Sequence, residues 1–136
     1  MRNGAALVTG GARRLGRAMA LTLADRGFDI ALHYSGSADA AAETAAEITA
    51  KGVEVVTLRA DLLVEDESQA LIGQATKALG RRLNVLINNA SVFEYDTLQS
   101  ASRTNWDRHI ESNLRAPFVL TQNFAAQVPP AQTDEA

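Results

Sequence analysis

Four short apolar runs, each followed by a helical segment, constrain this chain more than any other feature. The apolar runs are residues 5–9 (AALVT), 29–34 (DIALHY), 53–58 (VEVVTL) and 83–88 (LNVLIN). Between them, residues 15–26 set Leu15, Met19 and Leu23 four apart, the spacing of one helix face. Residues 38–51 align Ala41, Ala45 and Ile48, and residues 65–79 align Leu71, Ala75, Ala78 and Leu79. Gly27, Gly52 and Gly80 close these helices, and a fourth helix over about 105–127 stops at Pro129-Pro130. Strands alternating with helices predict a parallel sheet covered on both faces. Right-handed crossovers leave the doubly wound α/β arrangement, with the strands in the order 3-2-1-4. Ligands of such sheets bind beyond the carboxyl ends of the strands, where the winding reverses between strands 1 and 4.

Composition narrows the class further. At 136 residues, positions 1–136 form one unit of domain size, and 46% apolar residues suffice for a core. Aromatics at 5% and abundant alanine suit close helix-on-sheet packing. A net charge of −3 argues against nucleic acid as a partner. Cysteine is absent, and His33 and His109 are too few and too scattered for a metal site. No apolar stretch has signal-peptide or membrane length, so a cytoplasmic protein with no membrane partner is expected. The fourth run is apolar toward both faces, as an interior strand would be, yet no strand follows it. Residues 128–136 read as a polar surface loop. The chain is therefore expected to be cut inside a loop, with the remainder of its own subunit as a partner.

The residues suited to chemistry lie at the strand ends. In Thr9-Gly10-Gly11-Ala12-Arg13-Arg14-Leu15-Gly16, the first two glycines permit a sharp turn, and Gly16 permits close helix packing. A helix N-terminus offers free N–H groups and a positive dipole end, suited to a pyrophosphate, although a tight turn without a ligand reads the same way. The second strand ends in His33-Tyr34-Ser35-Gly36-Ser37, with no carboxylate to bind a ribose 2′-hydroxyl. Ser35 and Ser37 can donate to phosphate oxygens, and Arg13 and Arg14 can supply charge, which favours NADP(H) over NAD. Alternatively, Ser37 caps the following helix. Pro117 lies four residues after Asn113 and has no N–H, so the Asn113 carbonyl loses its helical partner and a kink is expected.

The glycine-rich turn resembles the TGxxxGxG fingerprint of the short-chain dehydrogenase/reductase family, with Arg14 in place of the middle glycine. That variant is similar to the pteridine reductase subgroup. Asp61-Leu62 stands where the family places an aspartate against adenine, and Asn88-Asn89-Ala90-Ser91 where it has NNAG. Asn113 matches the helix asparagine of the family's catalytic tetrad. The resemblance spans the whole chain but about the first half of a family domain. It implies that Gly10, Arg13, Arg14, Leu15, Gly16, His33, Tyr34, Ser35, Ser37, Asp61, Leu62, Asn89, Ala90 and Ser91 bind the cofactor. It implies that Asn113 holds a water relaying protons to a catalytic lysine. Asn88-Asn89-Ala90-Ser91-Val92-Phe93 is similar to the subgroup's NNASxF, whose phenylalanine stacks on a pterin; Phe93 is otherwise ordinary packing. The subgroup's HYxxS stretch often carries an arginine where Gly36 stands, which leaves compensation to Arg13 or Arg14. Asp61 reads equally as a turn or capping residue.

The family's Tyr-x-x-x-Lys pair is missing: Ala38 follows Tyr34 at that spacing and Gln99 follows Tyr95. The expected parent is an NADP(H)-dependent oxidoreductase acting on a carbonyl or C=N bond, with a pterin-like compound as one substrate class. It is expected to be a dimer or tetramer, because the last helix often lies at a subunit interface in the family. The competing reading is a non-catalytic nucleotide-binding or interaction module.

Overall fold

The computed structural model describes residues 2–128. Strands β1 (Gly4–Val8), β2 (Phe28–Tyr34), β3 (Val55–Arg59) and β4 (Val85–Ile87) form one parallel sheet in the order β3-β2-β1-β4. This is the expected doubly wound arrangement. Leu7 pairs with Ala31 on one side and Leu86 on the other, and Ala31 with Val56. The winding reverses between β1 and β4, which opens a crevice above their carboxyl ends.

Alternation along the strands decides the layers. In β1, Ala5 and Leu7 point to one face and Ala6 and Val8 to the other, and all four are fully buried. The first face packs beneath α3 (Glu65–Leu79) and α5 (Ala116–Gln127), and the second beneath α1 (Arg14–Asp25) and α2 (Ala38–Ala50). Burying a leucine or isoleucine contributes about 1.5–3 kcal/mol, so Leu7, Ile30, Leu32, Leu71 and Leu120 are major sources of stability. At the opposite end of the sheet, buried Asp29 accepts from the Glu54 amide at 2.8 Å and pairs with Arg81 at 2.6 Å, which ties β2 to the flanking loops.

The helix faces depart from expectation in α1. The helix buries Gly16, Ala20 and Ala24 against the sheet, while Leu23 is half-buried beside the same core and Leu15 is 64% exposed. Small residues let the helix axis come close to the sheet, and the larger side chains fall to the flank. In α2 the buried stripe is Ala41, Thr44 and Ile48, with Thr44 in place of Ala45. In α3, Leu71, Ala75 and Leu79 face the core as expected, joined by Ile72 and Ser68, while Ala78 is exposed.

The last helix starts earlier than expected and is not continuous. The segment α4 (Arg103–Ile110) is capped by the Ser102 hydroxyl, which accepts from the Asn105 amide at 3.1 Å. A π-helical turn over Glu111–Arg115 then leads into α5, and the Ala116 N–H reaches back to the Glu111 carbonyl. Pro117 cannot donate to the Asn113 carbonyl, and the wider turn absorbs that loss. The π-helical turn thus stands at the position where the kink is expected. Strand β4 is shorter than expected, with all three residues half-buried, and it pairs with β1 alone among the described residues. Of the polar loop expected for residues 128–136, residues 129–136 lie outside the described residues.

Candidate functional site

The turn after β1 is shaped by what its glycines leave out. Gly10 sits at φ +60°, and a Cβ there would meet the Ala90 Cα at 3.1 Å. A Cβ on Gly11 would lie 2.5 Å from Leu32 Cδ1, and one on Gly16 would drive into the Gly10 carbonyl and the Asn89 side chain. Arg14 is the one non-glycine residue with positive φ among the described residues, at +48°. A left-handed arginine costs about 1 kcal/mol of backbone strain. At the start of α1, Arg13 is extended and makes no side-chain capping bond, and no acid occupies the first turn. The amide groups that begin this helix therefore face the crevice without a side-chain acceptor.

These elements enclose a cleft of about 500 Å³. Gly10, Arg13, Arg14, Leu15 and Gly16 line it from the turn. His33, Ser35 and Ser37 line it from the end of β2, and Asn89, Ala90 and Ser91 from the segment after β4. No carboxylate is among the lining residues. Arg13 and Arg14 are exposed and take part in no ion pair among the described residues. Ser37 makes no side-chain capping bond to α2, so the capping alternative is not what its hydroxyl does. A second hollow of about 360 Å³ shares His33, Ser35, Ala90 and Ser91 with the first and extends over Asp61 and Leu62 toward Arg108 and Ser112. Tyr34 lines neither hollow; its half-buried side chain packs against the core under α1 and α2.

Thr9 organises the floor of the cleft. Its buried hydroxyl donates to the Ile87 carbonyl at 3.3 Å and accepts from the Asn89 and Ala90 amides, each at 2.9 Å. The Asn89 side chain returns to the turn, donating to the Thr9 and Gly10 carbonyls at 3.0 and 3.2 Å. Thr9 belongs with the site residues, although sequence reasoning placed it in the turn without giving it a part in the site. Its signal was a hydroxyl residue where the pattern turns from apolar to glycine.

His33 is buried, and its ring is committed on both edges. Nδ1 accepts from the Gly10 amide at 3.0 Å, which puts the ring proton on Nε2, 2.9 Å from the Ala60 carbonyl. It therefore supports the turn from below. Burial lowers its pKa from the ordinary 6.5, against a smaller opposing effect of the Ala60 carbonyl. The unfolded chain then takes up a proton that the folded chain refuses, so this site's stability is intact above about pH 6.5 and declines as pH falls. Chemical denaturation at pH 7 and pH 5 should show a steeper loss for the wild type than for His33→Asn, and equal slopes would exclude His33 as the source.

The remaining residues meet at the ends of β3 and β4. Asp61 Oδ1 accepts from the Leu63 amide at 2.9 Å, closing a side-chain turn, while its own amide donates to Glu67. Leu62 is buried. The Asn113 side chain clasps the Val92 backbone: Oδ1 accepts from the Val92 amide and Nδ2 donates to the Val92 carbonyl, both at 2.8 Å. Phe93, the next residue, is 82% exposed, and its ring meets His109 edge-on at 6.5 Å. No helix among the described residues is long and apolar enough to cross a membrane.

Residues 4–133 match the family model for short chain dehydrogenase. The chain is 36% identical over 126 residues to a 3-oxoacyl-[acyl-carrier-protein] reductase, FabG, of Staphylococcus epidermidis, covering 93% of this chain and 51% of that protein. It is 34% identical to a short-chain type dehydrogenase/reductase of Picea abies, covering 90% of this chain and 48% of that one. Among solved structures, FolM alternative dihydrofolate reductase 1 from Brucella canis, complexed with NADP, superposes with a TM-score of 0.88 at 34% identity. That match covers 96% of this chain and 52% of the other. A blue fluorescent protein from a metagenomic library, in complex with NADPH, gives 0.89 at 34% identity, over 94% and 52% of the two chains. The chain thus spans about half the length of the curated relatives it matches. With the family model matching residues 4–133, nearly the whole chain, the chain belongs to the short-chain dehydrogenase family.

Proposed function

We propose that residues 1–136 form the cofactor-binding part of an NADP(H)-dependent reductase that acts on a carbonyl or C=N bond. One observation carries this reading: a cleft at the switch point that, among the described residues, is free of carboxylates and lined by two arginines without ion-pair partners. A 2′-phosphate fits such a lining, and a ribose 2′-hydroxyl would gain nothing from it. The residues fit the group on steric grounds too, since side chains at Gly10 and Gly16 would close the turn against its neighbours. The α1 amides with Leu15 and Gly16 would hold the pyrophosphate, and Arg13, Arg14, Ser35 and Ser37 the 2′-phosphate. Asp61 and Leu62 would meet the adenine, and Asn89, Ala90 and Ser91 the nicotinamide ribose. His33 acts through Gly10. When bound, NADP(H) supplies the hydride, and the protein orients the reactants and supplies a proton. The NADP and NADPH complexes among its structural neighbours support this cofactor.

For the substrate, an exposed Phe93, next to Val92 in the lining of the second hollow, suits a flat heterocycle, and the likeness to a FolM alternative dihydrofolate reductase supports a pterin-like compound. A 3-oxoacyl thioester is the carbonyl alternative that the FabG relatives support. The protein expressed from its whole open reading frame should oxidise NADPH with dihydrofolate faster than with a 3-oxoacyl thioester; the reverse order would overturn the pterin reading. Asn113 anchors Val92 with two hydrogen bonds, each worth about 1 kcal/mol. Asn113→Ala is therefore expected to lower kcat by about tenfold or more, with the NADPH Kd little changed and circular dichroism confirming the fold. An unaltered kcat would leave Asn113 with a purely structural part.

A further inference from the structure

Residues Val92–Tyr95 leave β4 without regular secondary structure, yet the backbone of this segment is bound tightly to the neighbouring helix. Asn113 accounts for Val92. Two adjacent side chains of α4 account for Glu94. His109 Nε2 accepts from the Glu94 amide at 3.0 Å, and its Nδ1 donates to the Asn105 carbonyl at 2.7 Å, which fixes the ring. Arg108 Nε donates to Glu94 Oε1 at 2.6 Å, in a half-exposed ion pair. The residues between and beyond these anchors, Phe93 and Tyr95, are held out at 82% and 83% exposure. His109 also meets the edge of the Phe93 ring, with the planes 74° apart. Arg108 itself borders the hollow that continues from the cleft past Ser91 and Val92.

We propose that His109 and Arg108 are positioning residues for the substrate: by fixing the Glu94 backbone and side chain they set the orientation in which Phe93 and Tyr95 meet it. The inference rests on the reductase reading above and adds a determinant of substrate affinity that lies on α4, away from the cofactor. A free loop would present two aromatic rings in many orientations, and ordering them would weaken binding. A loop held at Val92 and Glu94 leaves Phe93 only its side-chain rotamers to choose. The histidine is suited to the task because one nitrogen accepts the Glu94 N–H while the other is locked by Asn105. Glutamine offers an acceptor at a similar reach, whereas phenylalanine fills the space and offers none.

The test uses the protein expressed from its whole open reading frame, with NADPH and dihydrofolate, or the 3-oxoacyl thioester if that is the better substrate. One lost hydrogen bond of about 1 kcal/mol corresponds to about a fivefold change in affinity. His109→Phe is therefore expected to raise the substrate KM by about fivefold or more, with the NADPH Kd unchanged, and His109→Gln to recover most of it. Hydrogen exchange at the Glu94 amide should quicken in His109→Phe and return toward the wild type in His109→Gln. If His109→Phe does not fold, Arg108→Met carries the same KM test with His109 in place. An unchanged KM in the folded variant, or a KM that rises equally in His109→Gln and His109→Phe, overturns the proposal. Failure of the wild type to turn over or bind NADPH instead overturns the reductase reading, and the amide-exchange result still decides whether His109 holds the loop.

Discussion

Replacing Arg13 with alanine and Arg14 with glycine together is expected to weaken NADPH binding by about 10- to 100-fold and NADH binding by far less. Each charge-assisted hydrogen bond to a phosphate is worth about 1.5–3 kcal/mol, and NADH has no 2′-phosphate to lose. The cleft contains no carboxylate, so the arginines meet no competing partner there. Glycine is the informative choice at position 14 because the native residue sits at φ +48°, where an arginine is strained and a glycine is not. Arg14 lines the cleft from that strained position. The double variant should therefore lose affinity without losing stability: the strain relieved and the backbone freedom added to the unfolded chain are each about 1 kcal/mol and oppose one another. Fluorescence titration of the two dinucleotides, repeated at two salt concentrations, measures the effect. Equal affinities for NADPH and NADH in the wild type, or a preference for NADH, would falsify the assignment.

Much of the site was legible because it sits at strand ends. Once the strand order was argued from alternation and crossover handedness, Gly10, Ser35, Asp61 and Asn89 had to rise on the same edge of the sheet, and they do. Side-chain direction was harder. Tyr34 and Ser35 are neighbours in sequence, but the pleat sends Tyr34 into the core and leaves Ser35 beside the cleft. Likewise, the four-residue spacing of Leu15, Met19 and Leu23 identified a helix but only the flank of its buried face, because glycine and alanine one position on allow a closer approach than leucine does. The missing donor of Pro117 foretold a disturbance at Asn113. That the disturbance takes the form of a π-helical turn is not contained in the spacing alone. His33 lines the cleft, and only the three-dimensional contacts with Gly10 and Ala60 reveal that its ring also braces the turn.

The 136-residue chain expressed alone is expected to associate in solution rather than persist as a monomer. Phe93, Tyr95 and Leu98 follow β4 with exposures of 82%, 83% and 92%. Trp106, Leu114 and Phe118, on the last helix, are 64%, 63% and 57% exposed. Ile110 joins them at 38%, and positions 106, 110, 114 and 118 repeat every fourth residue, so they form one apolar stripe. Scattered apolar residues on a surface need no explanation, but a continuous stripe this long is what a buried contact looks like before its partner is added. Full burial of one such side chain contributes about 1.5–3 kcal/mol, while an entire domain is stable by about 5–15 kcal/mol. Covering even three of them would therefore rival the stability of the whole unit. Strand β4 adds a second reason, since among the described residues it pairs on one side alone and leaves backbone donors and acceptors open on the other. Light scattering across a concentration series is the measurement. Leu114→Glu combined with Phe118→Lys should shift the population toward monomer if the stripe drives association, and leave it unchanged if the β4 edge does. A monodisperse wild-type monomer with a cooperative thermal transition would show that neither surface needs a partner.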